Sequence, residues 1–288
     1  MAEIQNVTGT AFIVAEFRAE ENAATQPLYT DPIVPLFLNE ETKRAAARMS
    51  EAFPAVKKIV RIRTRYLDDR LDRQLHLGCG QVVILGAGLD TRSIRKQAPS
   101  VAFFEIDDEG TLNFKKARLE ENALNSQATF IPGNYVTDNL VQLLKTNGFD
   151  FTQPTHFIWE GNTMYLTAPS IRQVMRDLAQ HVGRFTLSFD YFKDGVIEKA
   201  TGDAAVTGIV ERFEAMGAPW ISGVENLQSL ADDAGMTIVD DVATAELHQT
   251  YWPDEPLDSP IFDYYFLCTL ESPAPRSGVH FQGGISAS

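Results

Sequence analysis

The chain has 288 residues, of which 44% are hydrophobic and 22% charged, and this ordinary globular composition excludes a disordered protein. Its 25 Lys and Arg residues are outnumbered by 39 Asp and Glu residues, so the formal net charge is −14. Because contacts to phosphates need clustered basic side chains, we expect no nucleic acid partner.

The first predicted elements are helices, in the segment from Asn39 to His76. This segment is rich in Ala, Arg, Lys and Leu and lacks glycine. Proline is favoured in the first turn of a helix and breaks a helix interior, so Pro54 divides the segment into two helices. We expect residues 1–76 to form a helical N-terminal cap.

Short apolar strands alternate with helices from Gln81 onward. The predicted strands are residues 82–85, 101–106, 129–132, 155–160 and 184–190. The predicted helices between them are residues 91–97, 111–122, 137–146 and 168–181. Such alternation indicates a parallel sheet with helices on both faces.

The pattern is less regular after Asp190. Residues 191–224 contain one helix-like stretch, residues 209–216, and the loop Gly217–Trp220, and we interpret this segment as an inserted lid over a site. A helix at 225–234 and strands at 237–242 and 262–270 follow. Because the Pro-rich link between the last two strands gives no helix signal, we expect these strands to pair antiparallel.

These elements predict an α/β fold of the class I methyltransferase type. Its Rossmann-like sheet is mostly parallel, with an antiparallel last strand. We expect the core to span residues 77–270, and residues 271–288, rich in Ser, Gly and Pro, to form a mobile tail.

The location of the protein is predicted from what the sequence lacks. The two cysteines, Cys79 and Cys268, are far apart, and no Cys/His spacing is typical of a metal site. No apolar run approaches the roughly 18 residues of a membrane-spanning helix, and the N-terminus lacks a basic leader. We expect a cytoplasmic protein without a metal or a membrane partner; the sequence does not indicate the oligomeric state.

A glycine loop follows the first strand, in the sequence VVILGAGLDTR at residues 82–92. Gly86 and Gly88 allow a tight turn and the close approach of a ligand. Thr91 stands where a full dinucleotide fingerprint would place its third glycine, which weakens the interpretation as an NAD-binding site. A tight turn with only a structural role is the alternative.

Acidic residues end two later strands. Asp107 lies 19 residues after Gly88, where a carboxylate can accept hydrogen bonds from both hydroxyls of a ribose. Glu160 ends the fourth strand, on the edge where open α/β sheets bind ligands. Tyr165 follows nearby and is a candidate for positioning a substrate through its hydroxyl.

Several blocks together resemble the bacterial members of the leucine carboxyl methyltransferase-like family of S-adenosylmethionine-dependent methyltransferases. These blocks cover roughly residues 10–270 and occur in the family's order. They are Arg63-Thr64-Arg65 with Asp68-Asp69, residues 81–92, residues 105–107, Trp159–Thr167, Phe189–Phe192 and Gly217–Trp220.

The resemblance implies S-adenosylmethionine as the cofactor and assigns roles to matching residues. Arg63 would pair with the carboxylate of the cofactor, Gly86 would lie under it, and Asp107 would hold its ribose. Glu160 would bind its ammonium group. Where the family usually has an acidic residue near the adenine, this chain has Asn134, followed by Tyr135; the Asn134 amide oxygen can still accept from the adenine amine.

The chemistry of methyl transfer indicates which group of the substrate receives the methyl group. A carboxylate is already ionised at neutral pH and needs no general base, whereas a phenol has a pKa near about 10 and needs one. No catalytic dyad is evident, so we expect O-methylation of a small aromatic or polyketide-type carboxylic acid, as the resemblance also implies. Alternatives are methylation of a phenol or hydroxyl, an NAD-dependent oxidoreductase, and a module that binds S-adenosylmethionine without turnover.

An apolar lining supports a small acid over a protein terminus. Aromatic residues are frequent in residues 1–76 and 191–224, the segments expected to cap the site, and such a lining suits an apolar ligand. These residues are Phe12, Phe17, Tyr29, Phe37, Phe53, Tyr191, Phe192, Phe213 and Trp220.

Overall fold

The computed structural model describes residues 7–272, with side chains described from Thr10 onward. The predicted tail, apart from its first two residues, lies outside the described part. Seven strands form one sheet in the order β3-β2-β1-β4-β5-β7-β6. The strands are β1 (Gln81–Leu85), β2 (Ala102–Asp107), β3 (Thr129–Pro132), β4 (Thr155–Trp159), β5 (Phe185–Phe192), β6 (Thr237–Ala243) and β7 (Tyr265–Glu271).

Eleven helices are present in the described chain. They are α1 (Val7–Glu20), α2 (Glu40–Ala52), α3 (Pro54–His76), α4 (Arg92–Arg95), α5 (Glu109–Glu121), α6 (Leu140–Thr146), α7 (Ala168–His181), α8 (Asp194–Ile197), α9 (Ala204–Ala215), α10 (Leu227–Ala234) and α11 (Thr244–Tyr251). None of these helices combines the length and the apolar character that crossing a bilayer requires.

The strand directions confirm the predicted class I arrangement. Strands β1 to β5 pair parallel with one another, and β7 pairs antiparallel with both β5 and β6. The central strands β1 and β4 are buried along their whole length, because helices cover both faces of the sheet. β6, at the edge, alternates between exposed and half-buried residues along most of its length.

Local sequence explains where several helices begin. Asn39 caps α2 in a capping box with Thr42, and Pro54 opens α3 one residue after α2 ends, so that Pro54 divides the segment as predicted. Thr167 caps α7, whose buried residues recur at helical spacing, at Ile171, Val174, Met175 and Leu178.

Two predictions about the fold were wrong. The link between β6 and β7 was predicted to contain no helix, but it contains α11. The antiparallel pairing that was predicted from this premise is nevertheless correct. The last strand begins at Tyr265 rather than at residue 262, because Pro260–Asp263 form a 3₁₀ turn.

The helix α1 was missed, because Ile13, Ala15 and Phe17 are buried together with Glu16 and Arg18 and leave no simple apolar stripe.

The helices form a layer on each face of the sheet. On one face, buried residues of α1, α2, α3 and α9 share one core with β1 and β7. On the other, α6, α7 and α10 pack against β4 and β5. The N-terminal helices and α9 therefore lie on the same side of the sheet, and both approach its carboxyl edge.

Candidate active site

Two cavities meet at the carboxyl edge of the sheet, where open α/β sheets bind ligands. The loop cavity is lined by the turn after β1, the ends of β2 and β4, and residues of α1 and α3. The apolar cavity is lined mainly by α1, α3, α9 and the end of β5. Thr10, Val14, Arg63 and Gly161 line both and mark their junction.

The turn after β1 depends on its two glycines. Gly86 and Gly88 have φ of +64° and +48°, in the left-handed region that favours glycine. A Cβ on Gly86 would lie 2.7 Å from two atoms of the Asn162 amide, whose Nδ2 donates to the Glu160 carbonyl over 2.6 Å. The N–H of Gly88 donates to Asp107 Oδ2 over 2.5 Å. The structure thus brings the predicted Gly86, Gly88 and Asp107 together around the loop cavity.

The carboxylate of Glu160, just after β4, lies between two buried guanidinium groups. Arg63 Nε donates to Oε1 over 3.0 Å, and Arg92 Nη1 donates to Oε2 over 2.6 Å. Burial alone would raise the pKa of Glu160, but the charges of Arg92 and Arg63 hold this pKa well below its usual range. Arg63 and Glu160, each predicted to bind the cofactor, therefore form an ion pair with one another at the edge of the loop cavity.

Asp190, on β5, fixes the orientation of Arg63. It is fully buried, its Oδ1 accepts the N–H of Gly161 over 2.6 Å, and its Oδ2 accepts the hydroxyl of Tyr265. Arg63 Nη1 donates to the same hydroxyl over 2.8 Å and lies 3.5 Å from Asp190 Oδ2. Burial raises the pKa of Asp190, and the Arg63 charge offsets part of that rise.

Gly161 makes room for this guanidinium. Its φ is +68°, and a Cβ there would lie 3.1 Å from both Nη1 and Nη2 of Arg63. Any other residue would combine backbone strain with a close contact to the guanidinium. Gly161 is thus required both for the turn after β4 and for the position of Arg63.

A network of buried ion pairs continues beyond Arg92. Its Nε donates to Asp68 over 2.7 Å and its Nη1 to Asp90 over 2.5 Å. Asp68 accepts a second hydrogen bond, over 2.8 Å, from Arg95, and Arg95 lies 3.5 Å from Asp31. Burial alone would raise the pKa of Asp68, but the charges of Arg92 and Arg95 hold this pKa well below its usual range. The network joins α3, α4 and the loop after β1.

Thr91 connects this network to α1. Its hydroxyl donates to Asp31 over 2.7 Å and accepts from Arg18 Nη2 over 2.9 Å and Arg95 Nε over 2.8 Å. Arg18 also donates to Asp31 and to the Leu89 carbonyl. The residue in the position of the third glycine therefore anchors the loop rather than facing a dinucleotide phosphate.

The sequence analysis missed the charged partners of the site. Asp68, Asp90 and Arg92 belong to the blocks quoted above, and Asp190 lies within the block Phe189–Phe192, so a signal for them existed. The residues outside those blocks had no such signal. They are Arg18, Asp31, Arg95 and Tyr265.

Asn134, predicted to contact the adenine, and Tyr135, predicted to bind the cofactor, lie near β3, and their roles stay predictions. Asn134 is exposed, and its amide oxygen accepts the N–H groups of Val136 and Thr137 over 2.9 and 3.2 Å. Tyr135 is buried, and its hydroxyl accepts from Trp159 Nε1 over 2.9 Å. Among the described residues, the lining of the loop cavity includes neither Asn134 nor Tyr135.

Tyr165 lines the apolar cavity rather than the loop cavity. Burial raises the pKa of its hydroxyl, and side-chain hydrogen bonds with Trp220 and Thr10 offset part of that rise. The phenol is therefore neutral at physiological pH and can donate or accept a hydrogen bond there. Its role in positioning a substrate stays a prediction.

The apolar cavity is lined almost wholly by hydrophobic side chains. In the described chain, Arg63 is the one charged residue of that lining. Five of the aromatic residues expected to cap the site line this cavity: Phe17, Phe53, Phe192, Phe213 and Trp220. The other four do not belong to its described lining: Phe12, Tyr29, Phe37 and Tyr191.

A mostly parallel seven-stranded sheet with an antiparallel last strand, and a glycine loop facing an acidic strand end, define a class I methyltransferase. The family model described as leucine carboxyl methyltransferase matches residues 11–179. The chain belongs to this family, and the resemblance predicted from the sequence is confirmed.

Relatives agree with this assignment. A Frankia alni protein with the name "Putative S-adenosyl-L-methionine-dependent methyltransferase" is 32% identical over 215 residues, which cover 70% of this chain and 75% of the relative. A Streptomyces avermitilis protein with the same description is 29% identical over 214 residues, which cover 69% of this chain and 74% of the relative.

Solved structures show the same fold. A crystal structure from Thermobifida fusca has a TM-score of 0.58 at 18% identity, covering 90% of this chain and 94% of that one. A DUF574 family protein from Streptomyces avermitilis also has a TM-score of 0.58, at 12% identity, with coverages of 90% and 97%. At these identities the likeness establishes the fold alone.

Proposed function

We propose that the protein methylates a carboxylate oxygen of a small apolar acid, of the aromatic or polyketide type, and forms its methyl ester. That it is a methyltransferase using S-adenosyl-L-methionine follows from its family and relatives; the acceptor is the proposed part. The observation that carries it is the junction, where an apolar cavity with one charged lining residue shares four lining residues with the loop cavity.

The donor set of the loop cavity fits S-adenosylmethionine. Each oxygen of Asp107 accepts one backbone N–H and keeps a lone pair for a ribose hydroxyl. Arg63 offers a guanidinium for the carboxylate of the cofactor, and Glu160 offers a carboxylate for its ammonium group. Gly86 and Gly88, in a left-handed turn, carry no side chains that could occupy the loop cavity.

The two carboxylates bonded to junction residues favour a carboxylate acceptor over a phenol. Glu160 has a lowered pKa and bonds to two arginines, so it is a poor proton acceptor. Asp190 already accepts from Gly161 and Tyr265. A carboxylate needs no base, because it is ionised at neutral pH.

The bound cofactor supplies an electrophilic methyl group on a sulfonium, and transfer forms the O–C bond as the C–S bond breaks, with no proton moved. The task of the chain is to hold the acceptor oxygen in line and exclude water. Arg63 and Gly161 lie where the two cavities meet, and the hydrophobic lining beyond them supports exclusion of water. We place the reaction in the cytoplasm, since Cys79 and Cys268 are both buried and unpaired.

The test is a panel of matched acceptors with labelled S-adenosylmethionine. We expect methyl esters from apolar acids such as 4-ethylbenzoate and no ether from 4-ethylphenol. Labelling of the phenol alone would replace the carboxylate proposal with phenol methylation. Binding of S-adenosylhomocysteine without labelling of either class would favour a module without turnover, and binding of NADH alone would contradict the site assignment.

A further inference from the structure

Five aromatic side chains form a continuous column along the apolar cavity. The ring centroids of neighbouring members lie 4.4 Å apart for Tyr265 and Phe192, 4.3 Å for Phe192 and Trp220, 4.6 Å for Trp220 and Phe213, and 6.2 Å for Phe213 and Phe53. The interplanar angles range from 24° to 39°. We call these five residues the aromatic column, and all of them line the apolar cavity.

The two central rings of the column, Phe192 and Trp220, are covered on both faces. Phe192 lies between Tyr265 and Trp220, and Trp220 lies between Phe192 and Phe213, with ring centroids no more than 4.6 Å apart. Because the faces are occupied by neighbouring rings, the surface that these side chains present to the cavity is their edges.

Ring edges carry partial positive charge, because the aromatic quadrupole is negative on the face and positive at the rim. An aromatic guest can direct its negative face at such edges in the edge-to-face arrangement. A saturated guest of the same size fills the space but has no such face. The lining contributed by α1 and α3 is largely aliphatic, at residues such as Ile13, Ile59 and Val60, so it gives neither guest an electrostatic advantage.

We propose that the apolar cavity selects a planar aromatic ring over a saturated ring or chain, with Trp220 as the main specificity-determining residue. This inference rests on the proposed function, since it concerns the body of the acid whose carboxylate is methylated. Trp220 is central because it is the middle ring of the column and stacks against both Phe192 and Phe213.

The experiment compares 4-ethylbenzoate with trans-4-ethylcyclohexanecarboxylate, which share size and charge. Binding of each acid to the full chain loaded with S-adenosylhomocysteine is measured by calorimetry, and turnover is measured with S-adenosylmethionine. We expect the aromatic acid to bind about two- to tenfold more tightly, the range of edge-to-face interactions. Equal binding, tighter binding of the saturated acid, or no binding of either acid would overturn the inference.

Binding and turnover answer separate questions. Preferential binding of the aromatic acid without ester formation would contradict carboxyl methylation and leave the ring preference intact. Ester formation from both acids with equal affinity would keep the proposed function and refute the ring preference.

Two tryptophan variants locate the selectivity. In Trp220→Leu we expect the ratio of the two affinities to fall toward one. Trp252→Leu is the matched control, because Trp252 packs on Arg61 outside the described lining of the apolar cavity, and it should keep the wild-type ratio. An unchanged ratio in folded Trp220→Leu would refute the role of Trp220; if that variant does not fold, the wild-type ratio still decides the ring preference.

Discussion

The two cavities are built by different physical means. The loop cavity is held by charges with several partners each, as Arg92 shows by bonding to Asp68, Asp90 and Glu160. The apolar cavity is held by packing between segments distant in sequence, from Phe53 to Tyr265. Directional bonds hold the loop cavity in place, whereas shape and ring contacts define the apolar cavity.

This difference has an energetic consequence. Removing one partner from a buried ion-pair network costs about 3–5 kcal/mol, because the remaining charges stay buried and unpaired. Exchanging one buried apolar side chain for another of similar volume usually costs less than about 1.5 kcal/mol. We therefore expect the loop cavity to respond sharply to single substitutions and the apolar cavity to respond gradually.

The largest effect is expected for Arg92→Met. The substitution leaves the carboxylates of Asp68, Asp90 and Glu160 with one guanidinium partner fewer, so the free energy of unfolding should fall by about 3–5 kcal/mol. Urea denaturation measures this change. Arg172→Met is the control, because its single ion pair with Asp233 is exposed, and it should change stability by less than about 0.5 kcal/mol. Similar losses in the two variants would contradict the contrast between a buried network and a surface pair.

A second prediction separates the two cavities by ligand. Asp107→Ala should weaken binding of S-adenosylhomocysteine about 10- to 100-fold, since hydrogen bonds to a charged group contribute about 1.5–3 kcal/mol. Phe213→Leu should leave this affinity within about twofold and raise KM for the acid. Calorimetry and steady-state kinetics check the two halves. A loss of cofactor affinity in Phe213→Leu would show that the cavities are not independent.

The smallest effect concerns pH. The folded-state pKa of Glu160 is lowered from 4.5 to about 2, so its contribution to stability is complete above pH 4.5 and is lost as the pH falls toward 2. The difference in unfolding free energy between wild type and Glu160→Gln should therefore be about 1 kcal/mol smaller at about pH 3.5 than at about pH 6. A difference that grows as the pH falls would contradict the lowered pKa.

The sheet and the loop cavity were predictable from the sequence because their signals are local. Strand β3 and helix α7 match their predicted bounds, since short apolar runs and helical periodicity report them directly. Gly86, Gly88 and Asp107 were found because a turn and a strand end have contiguous signatures.

Other features depend on contacts far apart in the sequence and were not predictable in this way. Arg63 meets Tyr265 across 202 positions, and Arg18 meets Thr91 across 73. The aromatic column likewise joins α9, two strands, the loop at Trp220 and the residue between α2 and α3. Composition indicated aromatic capping segments, but only the fold determines which rings reach the cavity.

The network around Arg92 also bears on how such a protein diversifies. A charge with three buried partners can change only if its partners change with it, so this region is expected to evolve by rare joint substitutions. Apart from Tyr265, whose hydroxyl bonds to Arg63 and Asp190, the rings of the aromatic column can be exchanged one at a time for apolar residues of similar volume at modest cost. Under the proposed function, new acceptors are therefore expected to arise through single substitutions in the apolar cavity, while the loop cavity stays constant.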